Sequence, residues 1–327
     1  MNAGSATIDW LYSEQLRVDP EWSLRDARGF NWWADQNSQR IEVIRRDTDP
    51  ELGESFLIRV QTELLSDVTI SDRCATILSA FMMPFASMAG PVHDATTGRL
   101  LLSSLVRVHE GIRSWMAPLI STAAVLQVGE ARYWGPQLQK LIPGTRLAKS
   151  GPPGRGLRPS PDELAEIATN LIAPLGQRPS AWKAKEFEDA VVKHMQAPPS
   201  LIATSGGDGL TVEFPFGEAS SLLLMKADEM HPGYGRGLHV RQSFKVKVAD
   251  EFSGVRLALE LNQQELSQDA AGYGFGSFCY CDEMMHFGSF WPNAVHRPGQ
   301  LVNLYYSCAA RAERMAQRFT RNGLFNQ

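Results

Sequence analysis

One pattern of hydrophobic spacing runs through this chain twice, and that constrains the fold more than any single motif. GFNWWADQNSQRIEVIRR (29–46) reads as two short strands around a polar turn at Gln36-Asn37-Ser38. GLTVEFPFGEASSLLLMKAD (209–228) reads the same way, with its turn at Gly217-Glu218-Ala219-Ser220. An alternating run follows each, SFLIRVQTELL (55–65) and GLHVRQSFKVKV (237–248), as expected of a strand with one wet face. Then come two helical patterns, SDRCATILSAFMMPF (71–85) and VRLALELNQQEL (255–266). Further strand material follows at 98–108 and 276–291, and each half closes on a long amphipathic helix, 111–142 and 298–320. The offset stays near ~180 residues throughout, which duplication predicts and chance does not.

Helices precede both strand sets: IDWLYSEQLR (8–17) in the first, then DELAEIATNLIAPLG (162–176) and KAKEFEDAVVKHM (183–195) in the second. The order per copy is α-β-β-β-α-β-β-α. The predicted fold is therefore α+β, two tandem copies with antiparallel sheets packed against helices and related by a pseudo-twofold axis. Between the copies, KSGPPGRGLRPSPDE (149–163) is rich in Gly and Pro and carries a local basic excess. Its composition reads as a solvated linker. The division is 1–145 for the first copy, 146–160 for the linker and 161–327 for the second copy.

Composition sets outer limits. Hydrophobic content of 43% and charged content of 21% are those of a globular protein, and 327 residues suffice for two cores. A formal net charge of -4 gives no general attraction to nucleic acid or anionic lipid. MNAGSATIDW lacks a basic start followed by an apolar run, and no apolar stretch reaches the length of a bilayer span. Four unevenly placed cysteines make no disulfide framework. The expectation is a soluble cytoplasmic protein without membrane insertion.

Two segments carry a family resemblance. DATTGRLLLSSLVRVHEGIRSWMAPLISTAAVLQVGEARYWGPQL (94–138) resembles the closing strand and helix of a type III secretion chaperone-like domain of the YbjN-like kind. FGSFWPNAVHRPGQLVNLYYSCAARAERMAQ (287–317), with its Phe-Trp-Pro-Asn and Arg311-Ala312, is similar to tandem members in actinobacteria. The resemblance implies a protein-binding role, chaperone-like or adaptor, and no cofactor is expected. It also implies homodimers, for which a tandem copy is an internal substitute, so the chain is expected as a monomeric pseudo-dimer or a homodimer.

Residues with chemical potential have simpler explanations. Cys279 and Cys281 share a strand face and could meet a metal with His286 or His296, but one C-x-C lacks the ligands of a closed zinc site, and buried reduced cysteine is common. Cys308 lies within a helix, where packing leaves a thiol inert. Asp228-Glu229 and Asp282-Glu283 are adjacent carboxylates of turns or strands, and GYGRG (233–237) and GYGFG (272–276) lead into strands, not into a helix that could cradle phosphate. Tyr234 and Tyr273 lack the basic surroundings of a nucleic-acid site. HFGSFWPNAV (286–295) reads as a structural corner, with Pro292 ending strand pairing.

The function expected is a non-enzymatic protein-binding module with an unidentified protein partner. Trp115, Trp291 and Phe287 are the candidate partner-facing anchors, because aromatic residues dominate interface hot spots. The alternatives are an enzyme with a cleft between the halves, drawing on His109 and His286 or the acidic pairs, and a regulatory component of a bacterial defence or stress system. The metal reading has a direct check. Purified protein should contain no stoichiometric zinc by elemental analysis, and a chelator should leave the melting temperature unchanged.

Overall fold

The computed structural model describes residues 2–49, 53–172, 182, 209–216 and 219–322. The protein is mixed α+β, with two antiparallel sheets and six helices among these residues. Helix α1 (Ala3–Trp10) is capped by Asn2, whose side chain accepts from the Ser5 N–H at 2.9 Å. The strands β1 (Ser23–Arg25), β2 (Gly29–Trp32), β3 (Gln39–Asp49) and β4 (Gly53–Ser66) follow. Helix α2 (Asp72–Phe81) starts at Ser71, which caps the Cys74 N–H, and a 3-10 turn, Met83–Phe85, ends it. Then come β5 (Gly90–Asp94), β6 (Arg99–His109), α3 (Arg113–Leu141) and β7 (Arg146–Leu147). The sheet order is β1-β2-β3-β4-β6-β5, with β7 beside the end of β4.

Beyond α4 (Glu163–Ile172), the second sheet holds β8 (Gly209–Phe216), β9 (Ala219–His231), β10 (Gly235–Lys245), β11 (Ser277–Cys281) and β12 (Met284–Pro292). Its order is β11-β12-β10-β9-β8. Helix α5 (Glu251–Ser267) lies between β10 and β11, capped by Asp250 on the Ser253 N–H at 2.7 Å, and α6 (Gln300–Asn322) closes the described chain. The predicted helix at 183–195 lies outside the described residues. Short β1 and β5 escape a reading by periodicity because three and five residues carry too little alternation.

Each closing helix is pinned to its sheet by a buried glutamine. Gln39 Nε2 donates to the Ala124 carbonyl of α3, and Gln242 Nε2 to the Cys308 carbonyl of α6, both at 2.8 Å. Gln39 and Gln242 are fully buried, so their amides need these acceptors. Buried apolar side chains of both sheets form one continuous cluster, from Trp32 and Leu102 through Phe244 to Trp291.

The sheets meet through reciprocal contacts. Helix α5 packs on β5 and β6 of the first sheet as well as on its own β11. In return, the Met83–Phe85 turn packs on β11 and β12 of the second. Leu105 and Gly274 exchange main-chain bonds, 3.3 Å from the Leu105 N–H and 2.9 Å from the Gly274 N–H. The Phe290 N–H donates to the Ser87 carbonyl at 3.3 Å, and Ser103 Oγ to the Leu266 carbonyl at 2.5 Å.

The stretch 146–160 departs from its expected character. Composition predicts a solvated linker, and residues 153–157, 159 and 160 are exposed, but the stretch is also tied as a strap to the first sheet's end. Ser150 donates its N–H to the Gln36 carbonyl at 2.8 Å and accepts from Trp33 Nε1 at 3.0 Å. Arg158 donates to the Trp33 carbonyl at 2.8 Å and, with Arg155, lies over the Trp22 ring. Its basic residues thus stack and pair locally. Helix α4 then packs along α3, so the helix expected to open the second copy rests on the first sheet's layer.

Gly90 shows how close the approach is. A Cβ there would stand 2.6 Å from Leu266 Cδ1 and 2.7 Å from the Gly276 carbonyl oxygen, whereas one at Gly288 meets open space. Gly90→Val should therefore lower unfolding free energy by about 1–3 kcal/mol in chemical denaturation, and Gly288→Ala should leave it nearly unchanged.

Candidate functional site at the seam

Where the 82–88 segment and α3 meet the β9–β10 turn, four polar side chains converge in the interior. Glu130 is a lone carboxylate on a nearly apolar stretch of α3 and is buried. Its Oε1 accepts from Ser87 Oγ and from Tyr234 Oη, each at 2.5 Å, and Ser87 and Tyr234 lie 3.4 Å apart. Burial raises the Glu130 carboxyl to about 7 against the pull of its two donors. The same burial, with Glu130 adjacent, holds the Tyr234 phenol well above its ordinary range.

His231 completes the cluster from the end of β9. Its Nδ1 accepts from the N–H groups of Gly233 and Tyr234 at 3.0 and 3.2 Å, so Nε2 carries the proton and donates to the Phe85 carbonyl at 3.0 Å. A second proton at Nδ1 would face two N–H groups. Burial depresses the imidazole's basicity in the same direction. The ring lies 4.6 Å from that of Phe290 and 4.9 Å from that of Tyr234. Nearby His239 is pushed down to about 4, chiefly by burial and then by Arg241.

Phe85, edge-on to the His231 ring at 6.4 Å, reaches solvent, as do two other large apolar side chains. Phe81 is 49% exposed and Phe85 38%, on the first half's side, while Met230, next in the chain to His231, is 58% exposed. No family model, curated protein or solved structure matches this chain. The site therefore has to be read from its own geometry.

The proposed anchors occupy other positions. Trp291 is fully buried, edge-on to Phe275 at 5.7 Å, with Nε1 donating to Ser289 Oγ. Phe287 is 3% exposed beneath the Arg311 guanidinium, 3.6 Å from the ring centroid, and Arg311 itself forms a buried pair with Glu265 at 3.0 Å. Neither can present a surface to a partner. Trp115 is half-buried, packed against Tyr273 at 5.9 Å. As a group these aromatics close the core because large apolar area is worth most when fully removed from water.

Other chemical residues are dispersed. His109 ends β6 in the first sheet while His286 lies within β12 of the second. Asp282 and Glu283 form the β11–β12 turn with positive φ, and Cys308 is buried in α6, its thiol pushed up to about 11 by burial. Gly233 and Tyr234 lie in the β9–β10 turn, while Gly235 and Gly237 belong to β10. Pro292 ends β12, and Asn293 Nδ2 donates to Asp228 at 3.3 Å. Among the described residues no three His, Cys, Asp or Glu side chains are arranged to hold a metal ion, and no helix is long and apolar enough to cross a membrane.

A lone acid inside VLQVGEARYW is the sequence signal for this cluster. Its partners Ser87 and Tyr234 come from distant segments, so only the fold brings them together. The pH response follows from the signs. Glu130 has a raised folded value, so its contribution is complete below the unfolded 4.5 and is lost as pH rises through about 7. His231 and His239 have depressed values, so their contribution is complete above 6.5 and is lost as pH falls. Glu130→Gln keeps an acceptor for both hydroxyls without the charge. Its stability relative to the native chain should rise by on the order of 3 kcal/mol between pH 5 and pH 8, measured by urea unfolding at each pH. A difference that does not change with pH would place the ionising group elsewhere.

Proposed function

We propose that the chain is two copies of one α-β-β-β-α-β-β-α unit joined into an intramolecular pseudo-dimer. In this reading it acts as a non-enzymatic protein-binding module of the chaperone-like or adaptor kind. The observation that carries the proposal is the reciprocity of the seam. β2-β3-β4-β6-β5 and β8-β9-β10-β12-β11 have the same order read in the same sense. By register, Gly90 opposite Ser103 corresponds to Ser277 opposite Gly288. Leu105 then corresponds to Phe290, and each of them hydrogen-bonds the segment that precedes the other sheet's edge strand. A Cβ on Gly90 would stand 2.9 Å from Ser277 Cβ. Corresponding residues touch in this way when they lie beside a twofold axis.

The partner we assign is a polypeptide segment with exposed apolar side chains, taken up beside Phe81, Phe85 and Met230. All three reach solvent, Phe85 where it meets His231 of the other half, and exposed aromatic and methionine side chains are adaptable contacts for varied apolar sequences. The absence of a membrane-crossing helix among the described residues and the four free thiols agree with a cytoplasmic setting.

The test uses the full chain and a reduced, carboxymethylated protein that cannot refold. Binding measured by fluorescence anisotropy should saturate, and Phe81→Ser combined with Phe85→Ser should weaken it by about tenfold or more. Leu157→Ser, which removes an exposed apolar side chain on the strap, should leave it unchanged. No saturable binding, or equal loss in both variants, would overturn the proposal.

A further inference from the structure

Further along the outer face of the second sheet lies a group of side chains that the seam does not use. Cys279 and Cys281 stand two apart on β11 and so project to one face. Cys279 is opposite His286, and His286 is opposite Ser243 on β10, placing the three in a row across the strands. Cys281 is diagonal to His286, within reach across neighbouring strands. Ser243 Oγ and His286 Nδ1 are 2.8 Å apart, so Nε2 is the ring nitrogen that Ser243 does not engage. Both Ser243 and His286 are 7% exposed, so the imidazole is held by its surroundings. Cys281 itself is exposed at the start of the tight Asp282-Glu283 turn, while Cys279 is buried.

We infer that Cys281 is a reactive thiolate that hydroperoxides oxidise, with Cys279 as the thiol that resolves the product. The division of labour follows from burial and hydrogen bonding. The thiol of Cys279 and then His286 stabilise negative charge on Cys281, bringing it to about 5 in spite of burial and of neighbouring Asp282. Cys279 moves the opposite way, raised by the neighbouring Cys281 sulfur and by its own burial. The outer sulfur is thus favoured over the inner one as the site of negative charge. Arg241 and Lys245 from β10 and Asp282 and Glu283 from the turn are the other charges facing this corner.

The chemistry balances with one external reagent. The Cys281 thiolate attacks the terminal oxygen of a hydroperoxide; an S–O bond forms, the O–O bond breaks, and the leaving alkoxide or hydroxide takes a proton delivered through His286. Sulfur is oxidised by two electrons to sulfenic acid and the peroxide is reduced to alcohol or water. Cys279 sulfur then attacks Cys281 sulfur, forming the S–S bond and releasing water. Same-face neighbours on a strand have Cα atoms about 6.8 Å apart at full extension, the upper limit of a disulfide's span, so the product shortens β11 locally and is readily reduced. β11 is the strand on which α5 and the Met83–Phe85 turn both rest, so oxidation bears directly on the seam.

Alkylation of the full chain by iodoacetamide across a pH series, read by peptide mass spectrometry, tests the thiolate without any variant. Cys281 should react at least about tenfold faster at pH 7 than Cys74 or Cys308, both buried thiols pushed up to about 11. Its rate should fall to half near pH 5. Ser243→Ala and His286→Gln should move that midpoint upward. One equivalent of hydrogen peroxide should yield a linked Cys279–Cys281 peptide that a dithiol reverses, and Cys279→Ser should leave a dimedone-reactive sulfenic acid on Cys281. A midpoint near the free-thiol value of about 8.5 overturns the inference. So does peroxide treatment that leaves both thiols open to alkylation.

Discussion

Neither sheet covers its own outer face, and the architecture depends on how that face is removed from water. On the first sheet Leu57 and Leu105 project away from α3 and are covered by Ala270, on the segment that follows α5. On the second sheet Phe290 is closed over by the segment that follows α2. Each half thus supplies what the other lacks, and main-chain hydrogen bonds fix the approach. A buried main-chain donor without an acceptor costs far more than an average contact contributes, so such bonds define register as well as strength. Around them lies an ionic frame in which Asp269 meets Arg45, Arg107 and Arg314 at 2.6, 3.8 and 2.6 Å. These side chains are 30–43% exposed, so their worth is orientation more than stability.

The polar interior beside this frame works differently. A carboxylate taken out of water is tolerated only with donors, and Glu130 has two hydroxyls, not a cation. Its ionisation consequently remains within the physiological range. His231 is fixed as one neutral tautomer by two main-chain donors and one acceptor. The cluster couples the α3 layer, the 82–88 segment and the β9–β10 turn, and of these the 82–88 segment also bears the exposed Phe85.

Most elements were legible in the sequence because they are long enough to show a period: β4, β10, α2, α5 and the two closing helices fall within a few residues of their expected limits. The site was not. Large aromatics such as Trp291 and Phe287 are equally suited to a core and to an interface, and only the packing of α6 and the Arg311–Glu265 pair decides for the core. The strap shows the complementary failure. Its Gly and Pro content describes a chain without a regular ladder, but not one without partners, since Trp33, Gln36 and Trp22 supply hydrogen bonds and ring faces from outside the segment. His286 and Ser243 were separated by more than forty positions, and strand register alone makes them neighbours.

The exchange of covering segments also sets an order of events at the ribosome. Leu105 is made well before Gly274 and Ala270, the residues that shelter it. At roughly 5–20 residues per second, the first sheet stands with an apolar outer face and an unpaired edge for on the order of ten seconds. Contacts so distant in sequence close late and slowly, and an open edge strand is a template for unwanted pairing. The nascent first half is therefore itself a temporary client for protection, and Gly90 at the waiting edge is the position where a second, identical nascent chain could pair instead of the proper one.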